Sequence, residues 1–193
     1  LYKYAKVVFI VPCIVNKAEA KEPELAGAID FVLTYQEVDD IFKALDIVPS
    51  KLQGIPTKEY ASRGGRLYGR TGGVSIAVYE AIEELYPEKA KYFKAVKANG
   101  VKECREILEK AKEGTLNASF LEGMGCAGGC VGGPKVLVPP DKAREALEKF
   151  AYDSSIKVAT HSETLDDVLE KLGITSLKDF EDEEKIKILK RNL

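Results

Sequence analysis

Short apolar runs alternate with amphipathic stretches along this chain, and the alternation predicts its secondary structure. The apolar runs predict four strands, at residues 6–11, 31–33, 93–96 and 118–121. Helical periodicity predicts helices at residues 35–45, 74–86, 101–112, 141–150 and 162–173, with an extra C-terminal helix at about 174–193. Strands that alternate with helices favour an α/β fold in which helices flank a small, mainly parallel sheet.

Local signals define several of these boundaries. Thr34 with Glu37 three residues later is a capping box that begins a helix, and Pro87 ends the next helix. Residues 48–69 contain several Gly and Pro residues, among them Pro56, and are predicted to form a loop. At this length we expect residues 1–193 to form a single domain.

Composition and charge exclude several classes of function. Of the 193 residues 45% are hydrophobic, which is enough for a buried core, and 29 basic against 31 acidic residues leave a net charge of −2. The chain therefore lacks the basic surface that nucleic-acid binding requires. The apolar run at residues 7–15 is interrupted by Pro12 and is shorter than the ~20 residues that span a bilayer.

Two of the four cysteines lie in a segment that is rich in glycine. Cys126 and Cys130 belong to residues 123–134, and half of these positions are Gly, so the segment is predicted to be a loop that approaches another group closely. Two thiolates in such a loop can ligate a soft metal centre, while peptide N–H groups donate to sulfide or other anionic ligands. A tight glycine turn with two buried cysteines is the alternative.

The remaining cysteines and the single histidine narrow the choice of metal. With His161 as the one histidine, all-thiolate iron–sulfur or zinc ligation is favoured over a mixed Cys/His zinc site. Cys13 follows the first predicted strand, at the end where ligands collect in α/β sheets, and is the expected third ligand. Cys104 lies beside the apolar stripe of a predicted helix and is expected to be a small buried hydrophobe, so a fourth ligand is missing. The charged, Lys- and Glu-rich composition predicts a reducing, cytoplasmic location.

A second glycine-rich segment covers residues 63–74. Gly72 and Gly73 open a predicted helix, which suits an anionic group at a helix N-terminus or, alternatively, close packing of the helix. The segment is neither a P-loop nor a dinucleotide-binding fingerprint.

Together these segments resemble the C-terminal portion of the iron-only ([FeFe]) hydrogenase large subunit. Residues 12–19, PCIVNKAE, are similar to the family's second cluster motif, Pro-Cys-x-x-Lys-Lys-x-Glu. Residues 122–130, EGMGCAGGC, match the third cluster motif at its signature positions. Residues 68–74, YGRTGGV, resemble Phe-Gly-x-Thr-Gly-Gly-Val, and residues 30–34, DFVLT, resemble a strand-to-helix segment of the family. The likeness extends over residues 6–173.

The resemblance implies a cofactor and a set of roles. Cys13 and Cys126 would ligate a [4Fe–4S] cluster, and Cys130 would ligate it and bridge to a di-iron subsite that carries CO, cyanide and a dithiolate. Glu19 and Lys17 are the catalytic candidates, as polar groups near that subsite. The candidates for cofactor binding are Asn16, Tyr68, Thr71, Glu122 and Met124.

The implied reaction is the reversible reduction of protons to dihydrogen by the full-length protein. The family's first cysteine motif precedes the segment that begins this chain, so we expect a C-terminal lobe whose partner is a missing N-terminal lobe. An exposed apolar face is expected where the two lobes meet. A ferredoxin-like donor or domain would supply electrons, and this chain alone is expected to lack the di-iron subsite and to be inactive.

Two other functions remain open. Asn16 occupies the position of the lysine that hydrogen-bonds cyanide in the family, and Tyr68 replaces the usual Phe. These departures favour a non-catalytic iron–sulfur binding or redox-sensing module. A thiol redox protein could instead use Cys126 and Cys130, although three residues separate them rather than the two of thioredoxin-like sites.

Overall fold

The computed structural model of the chain describes residues 4–55 and 61–190, so Pro56 of the expected loop lies outside the described residues. The described strands are β1 (Val8–Val11), β2 (Phe31–Thr34), β3 (Ala95–Asn99) and β4 (Phe120–Met124). The described α-helices are α1 (Val15–Glu19), α2 (Tyr35–Ala44), α3 (Arg63–Leu67), α4 (Gly73–Leu85), α5 (Pro87–Ala90), α6 (Val101–Lys112), α7 (Pro140–Tyr152) and α8 (Glu163–Lys171). Short 3₁₀ turns lie at Pro23–Leu25, Pro49–Lys51, Cys130–Gly132, Ala159–His161, Leu177–Glu181 and Lys187–Leu189.

The strands form two parallel pairs, which confirms the predicted α/β class. β1 pairs with β2 and β3 pairs with β4, each as a separate two-stranded sheet rather than as parts of one small sheet. Along the chain, α1 connects the two strands of the first pair and α6 connects those of the second. Parallel strands need such a crossover connection. The carboxyl ends of both strands of each pair therefore lie at the same edge.

The helix signals in the sequence are confirmed where they are strongest. The Glu37 amide donates to Thr34 Oγ1 at 3.3 Å and the Thr34 amide donates to Glu37 Oε2 at 2.7 Å, which completes the predicted capping box of α2. α6 has the predicted bounds, and α8 begins after Ser162, whose hydroxyl accepts the Leu165 amide.

The prediction of an uninterrupted loop over residues 48–69 was wrong, because α3 forms within it. The Ser62 hydroxyl caps this helix by accepting the Gly65 amide at 3.0 Å. Leu67 is completely buried, and the helix packs against α4 and α7. Tertiary packing therefore stabilises a helix although Gly64 and Gly65 are poor helix formers.

The extra helix expected at about 174–193 is also wrong for the described residues, which contain two 3₁₀ turns instead. Asp179 accepts the backbone amides of Thr175 and Ser176, each at 2.8 Å. Asp182 accepts the Glu184 amide at 3.0 Å. Such side-chain bonds to neighbouring amides compete with helical hydrogen bonds and divide the segment into short turns.

The two strand pairs are covered unequally. α4 and α6 both pack on the β3–β4 pair, where Ala98 is fully buried. In the β1–β2 pair, Val8, Ile10 and Phe31 are exposed by 47%, 49% and 58%. Val8 lies opposite Phe31 in the register, so these side chains share one face. An exposed apolar face of the kind expected from the sequence is therefore present.

Among the described residues, no helix is both long and apolar enough to cross a bilayer.

The start of α4 generates a prediction about stability. A Cβ on Gly73 would lie 1.7 Å from the carbonyl oxygen of Leu67, a clash that only backbone movement can relieve. We expect Gly73→Ala to lower the free energy of unfolding by about 3 kcal/mol or more. Urea denaturation followed by circular dichroism measures this loss.

Gly65→Ala is the matched control, because the nearest atom to its added Cβ would be Ser62 Oγ at 3.4 Å, an ordinary contact. Since Ala is the better helix former, the control should keep or raise stability, by up to about 1 kcal/mol. Equal losses in both variants would contradict the assigned contact.

Candidate metal centre

Three of the four cysteines come together where strands of the two pairs end. Cys13 follows β1 by two residues, Cys126 follows β4 by two residues, and Cys130 begins a 3₁₀ turn four residues later. Burial raises the pKa of the Cys130 thiol, and negative charge on Cys126 and then on Cys13 raises it further. The thiols of Cys13 and Cys126 are therefore near enough to influence that of Cys130.

Backbone contacts explain how Cys13 reaches the loop of the other two. The Lys135 amide donates to the carbonyl oxygen of Pro12 at 3.2 Å. A Cβ on Gly133 would lie 2.8 Å from that same oxygen. Only glycine permits this approach, so the sequence Gly132-Gly133 after Cys130 brings the two cysteine segments together.

The other glycine-rich segment packs on the opposite side of the cysteine loop, which we define as residues 125–133. The Thr71 amide donates to the Gly128 carbonyl at 3.0 Å, and the Val131 amide donates to the Gly69 carbonyl at 2.9 Å. Gly129 has φ +92°, and a Cβ there would lie 2.7 Å from Thr71 N. Residues 68–74 are therefore part of the cysteine site. The geometry shows the close packing of this segment, and it also places an anionic group, the Glu122 carboxylate, at the N-terminus of α4.

Asn99 is a residue of this site that the sequence analysis missed. Its side-chain oxygen accepts the Gly128 amide at 2.6 Å and the Thr71 hydroxyl at 2.9 Å. The available signal was its position, since it ends β3 immediately before Gly100 and parallel strands collect functional side chains at their carboxyl ends.

The donor set of this site, three neighbouring thiols, fits an iron–sulfur cluster. Within residues 4–55 and 61–190, no three Cys, His, Asp or Glu side chains converge on one ion. In a cubane cluster each iron takes its own thiolate, so the cysteines must be neighbours without converging on one point. Cys13, Cys126 and Cys130 meet that requirement, and the loop is rich in glycine amides.

Cys104 does not belong to this group of thiols. Its sulfur lies 3.6 Å from the Met124 carbonyl oxygen, on the α6 side of β4. The thiol is half-buried on α6, so it is less buried than the small buried hydrophobe that the sequence predicts.

An apolar cavity of about 300 Å³ lies against Cys130. Most of its lining is apolar. The lining residues come from three segments: Pro12 beside Cys13, Val136 after Cys130, and Leu147 and Phe150 of α7. Cys130 is itself exposed, so the cavity places apolar side chains beside the thiol without enclosing it.

The polar candidates of residues 12–19 are held by neighbouring side chains. Lys17 Nζ lies 2.7 Å from Glu37 Oε1, and Asn16 Nδ2 donates to Glu19 Oε2 at 2.9 Å. The hydrogen bond from Lys17, followed by those from the Thr34 amide and hydroxyl, lowers the pKa of Glu37 to about 2. Lys17 thus connects α1 to the capping box of α2.

The remaining candidates occupy different places. Thr71 contacts the cysteine loop, whereas Tyr68 lines a separate cavity of about 160 Å³ beside α4 that no cysteine lines.

Glu122 is buried, and its carboxylate accepts the Gly72 amide at 2.6 Å and the Ser75 amide at 2.8 Å. Met124 ends β4, two residues before Cys126. The structure therefore brings Thr71 and Met124 near the cysteines and turns the Glu122 carboxylate towards the N-terminus of α4.

The Lys17–Glu37 pair predicts a pH dependence. The pKa of Glu37 falls from 4.5 to about 2 on folding, so its stabilising effect is complete above pH 4.5 and is lost as the pH falls towards 2. We expect Glu37→Gln to flatten the dependence of stability on pH in this window. The difference in urea midpoint between the variant and the wild type, measured from pH 6 to pH 2, tests this.

Glu88→Gln is the control, because Glu88 is exposed on α5 and the described residues offer it no hydrogen bond. Plots of the urea midpoint against pH should run parallel for this control and the wild type. A parallel curve for Glu37→Gln as well would show that the ion pair does not stabilise the fold.

Comparison with known proteins places this site in a family. The family model for the C-terminal domain of the iron-only hydrogenase large subunit matches residues 2–134. The chain is 29% identical over 170 residues to the periplasmic [Fe] hydrogenase large subunit of Nitratidesulfovibrio vulgaris, which covers 71% of this chain and 40% of that protein. It is 28% identical over 176 residues to iron hydrogenase 1 of Clostridium pasteurianum, which covers 74% of this chain and 30% of that protein.

Solved structures show the same fold. An [FeFe]-hydrogenase structure that reports stepwise assembly of the H-cluster matches with a TM-score of 0.62 at 18% identity, over 90% of this chain and 60% of that one. An apo [FeFe]-hydrogenase of Chlamydomonas reinhardtii matches with a TM-score of 0.60 at 19% identity, over 86% and 58%. The chain thus spans well under two thirds of the proteins it matches.

The family model covers more than half of the chain, and its span includes all three cysteines that the fold brings together. The chain therefore belongs to the iron-only hydrogenase large-subunit family and carries a portion of its C-terminal domain.

Proposed function

We propose that this chain is the C-terminal lobe of an [FeFe]-hydrogenase-like enzyme that interconverts protons and dihydrogen at an iron–sulfur H-cluster. One observation carries the proposal: backbone contacts at Gly133 bring the segment of Cys13 against the loop of Cys126 and Cys130. The relatives that match more than two thirds of this chain are named as hydrogenases.

In this proposal each cysteine has a defined task. Cys13, Cys126 and Cys130 would hold a [4Fe–4S] cluster, and Cys130 would also bridge to a di-iron subsite. When bound, that group supplies the electrons and the metal at which dihydrogen is formed or split. The apolar side chains of the cavity beside Cys130 would pack against one side of this group.

The polar side chains of α1 would serve the same centre. Glu37 holds the Lys17 ammonium, which therefore acts as a fixed positive charge on α1. The Asn16 amide donates to Glu19, so the Glu19 carboxylate is oriented and can accept or release a proton at Oε2. Lys17 and Glu19 are accordingly the proposed catalytic side chains, with Asn16 as the donor that orients Glu19.

The fourth cluster ligand would come from a lobe that precedes this chain in the full-length protein. The exposed apolar face of β1 and β2, with Val8, Ile10 and Phe31, is the surface on which we place that lobe. Both strands are also edge strands within the described sheet, so the lobe could add a strand. Without the fourth ligand, the chain alone would be inactive. A ferredoxin-like domain or protein would deliver electrons to the cluster.

A second function is favoured by the pairing of the polar residues. The one cation of residues 12–19, Lys17, is already paired with the Glu37 carboxylate, and the position before it is the uncharged Asn16. The pairing weakens the attraction of this segment for an anionic ligand of the di-iron subsite. This arrangement suits a protein that binds the cubane cluster for redox sensing without turnover.

Loss of single cysteines tests the cluster assignment. We expect Cys13→Ser, Cys126→Ser and Cys130→Ser, each in the full-length protein reconstituted without oxygen, to weaken cluster retention at least about tenfold, since even outer-shell partners of a metal contribute that much. Iron content and the EPR signal of the reduced cluster measure it. Cys104→Ser is the matched control and should retain the cluster.

Infrared spectra of the matured full-length protein then separate the two functions. Bands of CO and cyanide together with hydrogen evolution support the enzyme, whereas a cubane signal without either supports the sensing module. Equal activity of the Cys13→Ser variant and the wild type would contradict both and favour a thiol pair of Cys126 and Cys130.

A further inference from the structure

Asn99 lies where the two glycine-rich segments of the site meet. Its Oδ1 atom accepts the Gly128 amide at 2.6 Å and the Thr71 hydroxyl at 2.9 Å. A backbone amide can only donate, so the atom that faces Gly128 must be the side-chain oxygen and not the nitrogen. The orientation of the Asn99 amide is therefore determined by the backbone of the cysteine loop.

The position of Asn99 is itself fixed by the second strand pair. Its own amide donates to Glu103 Oε2 at 2.7 Å, in the first turn of α6. The next amide, of Gly100, donates to the Met124 carbonyl at 2.8 Å, which connects the ends of β3 and β4. Asn99 thus extends from an anchored point of the sheet to the loop.

The hydrogen bond that Asn99 accepts comes from Gly128, the residue midway between Cys126 and Cys130. Gly128 and Gly129 both have positive φ angles, +87° and +92°, and glycine is the residue that can leave such a conformation most easily. On one side the Gly128 carbonyl accepts the Thr71 amide, and on the other its amide donates to Asn99. The N–H group and the carbonyl group of this residue, which belong to two successive peptide units, therefore each have a hydrogen-bond partner outside the loop.

We propose that Asn99 is a positioning residue that fixes the orientation of the Gly128 peptide and thereby the relative placement of Cys126 and Cys130. Asn99 does not touch the thiols in this arrangement and acts through the loop backbone. The importance of that placement for the cluster rests on the proposed function, whereas the effect on the loop does not.

Two substitutions of Asn99 test the proposal in the full-length protein. Asn99→Leu keeps the size of the side chain and removes the acceptor, whereas Asn99→Asp keeps an acceptor for both donors. The matched control is Asn117→Leu, since Asn117 is another exposed asparagine, which accepts a bond from Lys94 away from the loop. Because Asn99 is exposed, the fold should tolerate these changes.

Hydrogen exchange of the cysteine loop in the cluster-free protein is the first readout. When an amide loses its one hydrogen bond, its hydrogen-exchange rate is expected to rise roughly tenfold. We expect amides of residues 126–131 to exchange about tenfold faster in Asn99→Leu and at the wild-type rate in Asn99→Asp and Asn117→Leu. Unchanged exchange in Asn99→Leu overturns the proposal, as does equal acceleration in the Asn117→Leu control.

The reconstituted cluster provides the second readout. Asn99→Leu should broaden or shift the EPR signal of the reduced cluster. Asn99→Asp should preserve its shape and lower its reduction potential, because an added carboxylate favours the oxidised cluster. If the wild type binds no cluster, the proposed function fails and the exchange result alone decides the role of Asn99. If all variants bind a cluster with the same spectrum and potential, Asn99 does not position the cysteines.

Discussion

Contact of backbone against backbone at a few glycines determines where the cysteines of this protein lie. Gly133 brings its loop against the Pro12 carbonyl, and Gly129 brings the same loop against Thr71. A side chain at either position would separate segments that are far apart in the sequence. The glycines that flank Cys126 and Cys130 are therefore part of the site's architecture, in addition to any amides they offer to a cofactor.

A buried carboxylate connects this arrangement to the rest of the fold. Glu122 Oε1 accepts the Gly72 amide, and Glu122 Oε2 accepts both the amide and the hydroxyl of Ser75. These donors lie at the N-terminus of α4, where peptide dipoles favour negative charge. Because β4 carries Glu122 and leads directly to Cys126, the carboxylate sets the distance between the cysteine loop and residues 68–74. The matched position in the third cluster motif thus has a structural explanation in its hydrogen bonds to α4.

The sequence predicts the parts of this fold that local interactions determine. The capping box of Thr34 and Glu37 and the periodicity of residues 101–112 identified α2 and α6, and turn residues with apolar runs located the strands. α3 was missed because its stability comes from burial of Leu67 against α4 and α7, which a loop-like run of glycines does not reveal. The end of the chain was misjudged because Asp179 bonds to local amides in preference to continuing a helix.

In the site, as in the fold, the features set by neighbouring residues were predicted from the sequence, and the contacts between distant segments were not. Cysteine spacing and glycine content pointed to Cys126 and Cys130. The position of Cys13 at the carboxyl end of the first predicted strand suggested that it joins them. The partners of Lys17 and Asn16 depend on how α1 meets α2, and the role of Asn99 depends on how β3 meets two loops. Such contacts between distant segments are decided by the three-dimensional packing and have no signature in spacing.

The division of the strands into two pairs has a consequence for assembly. Cys13 belongs to the β1–β2 pair, whereas Cys126 and Cys130 follow the β3–β4 pair. The two units meet through Gly133 and Pro12, with a further contact of 2.8 Å between Lys135 Nζ and Gln36 Oε1. A cluster ligated by all three thiols would cross-link the two units, so its binding energy would also stabilise their relative placement. In that case the residues that hold the cluster would also hold the two halves of the fold together.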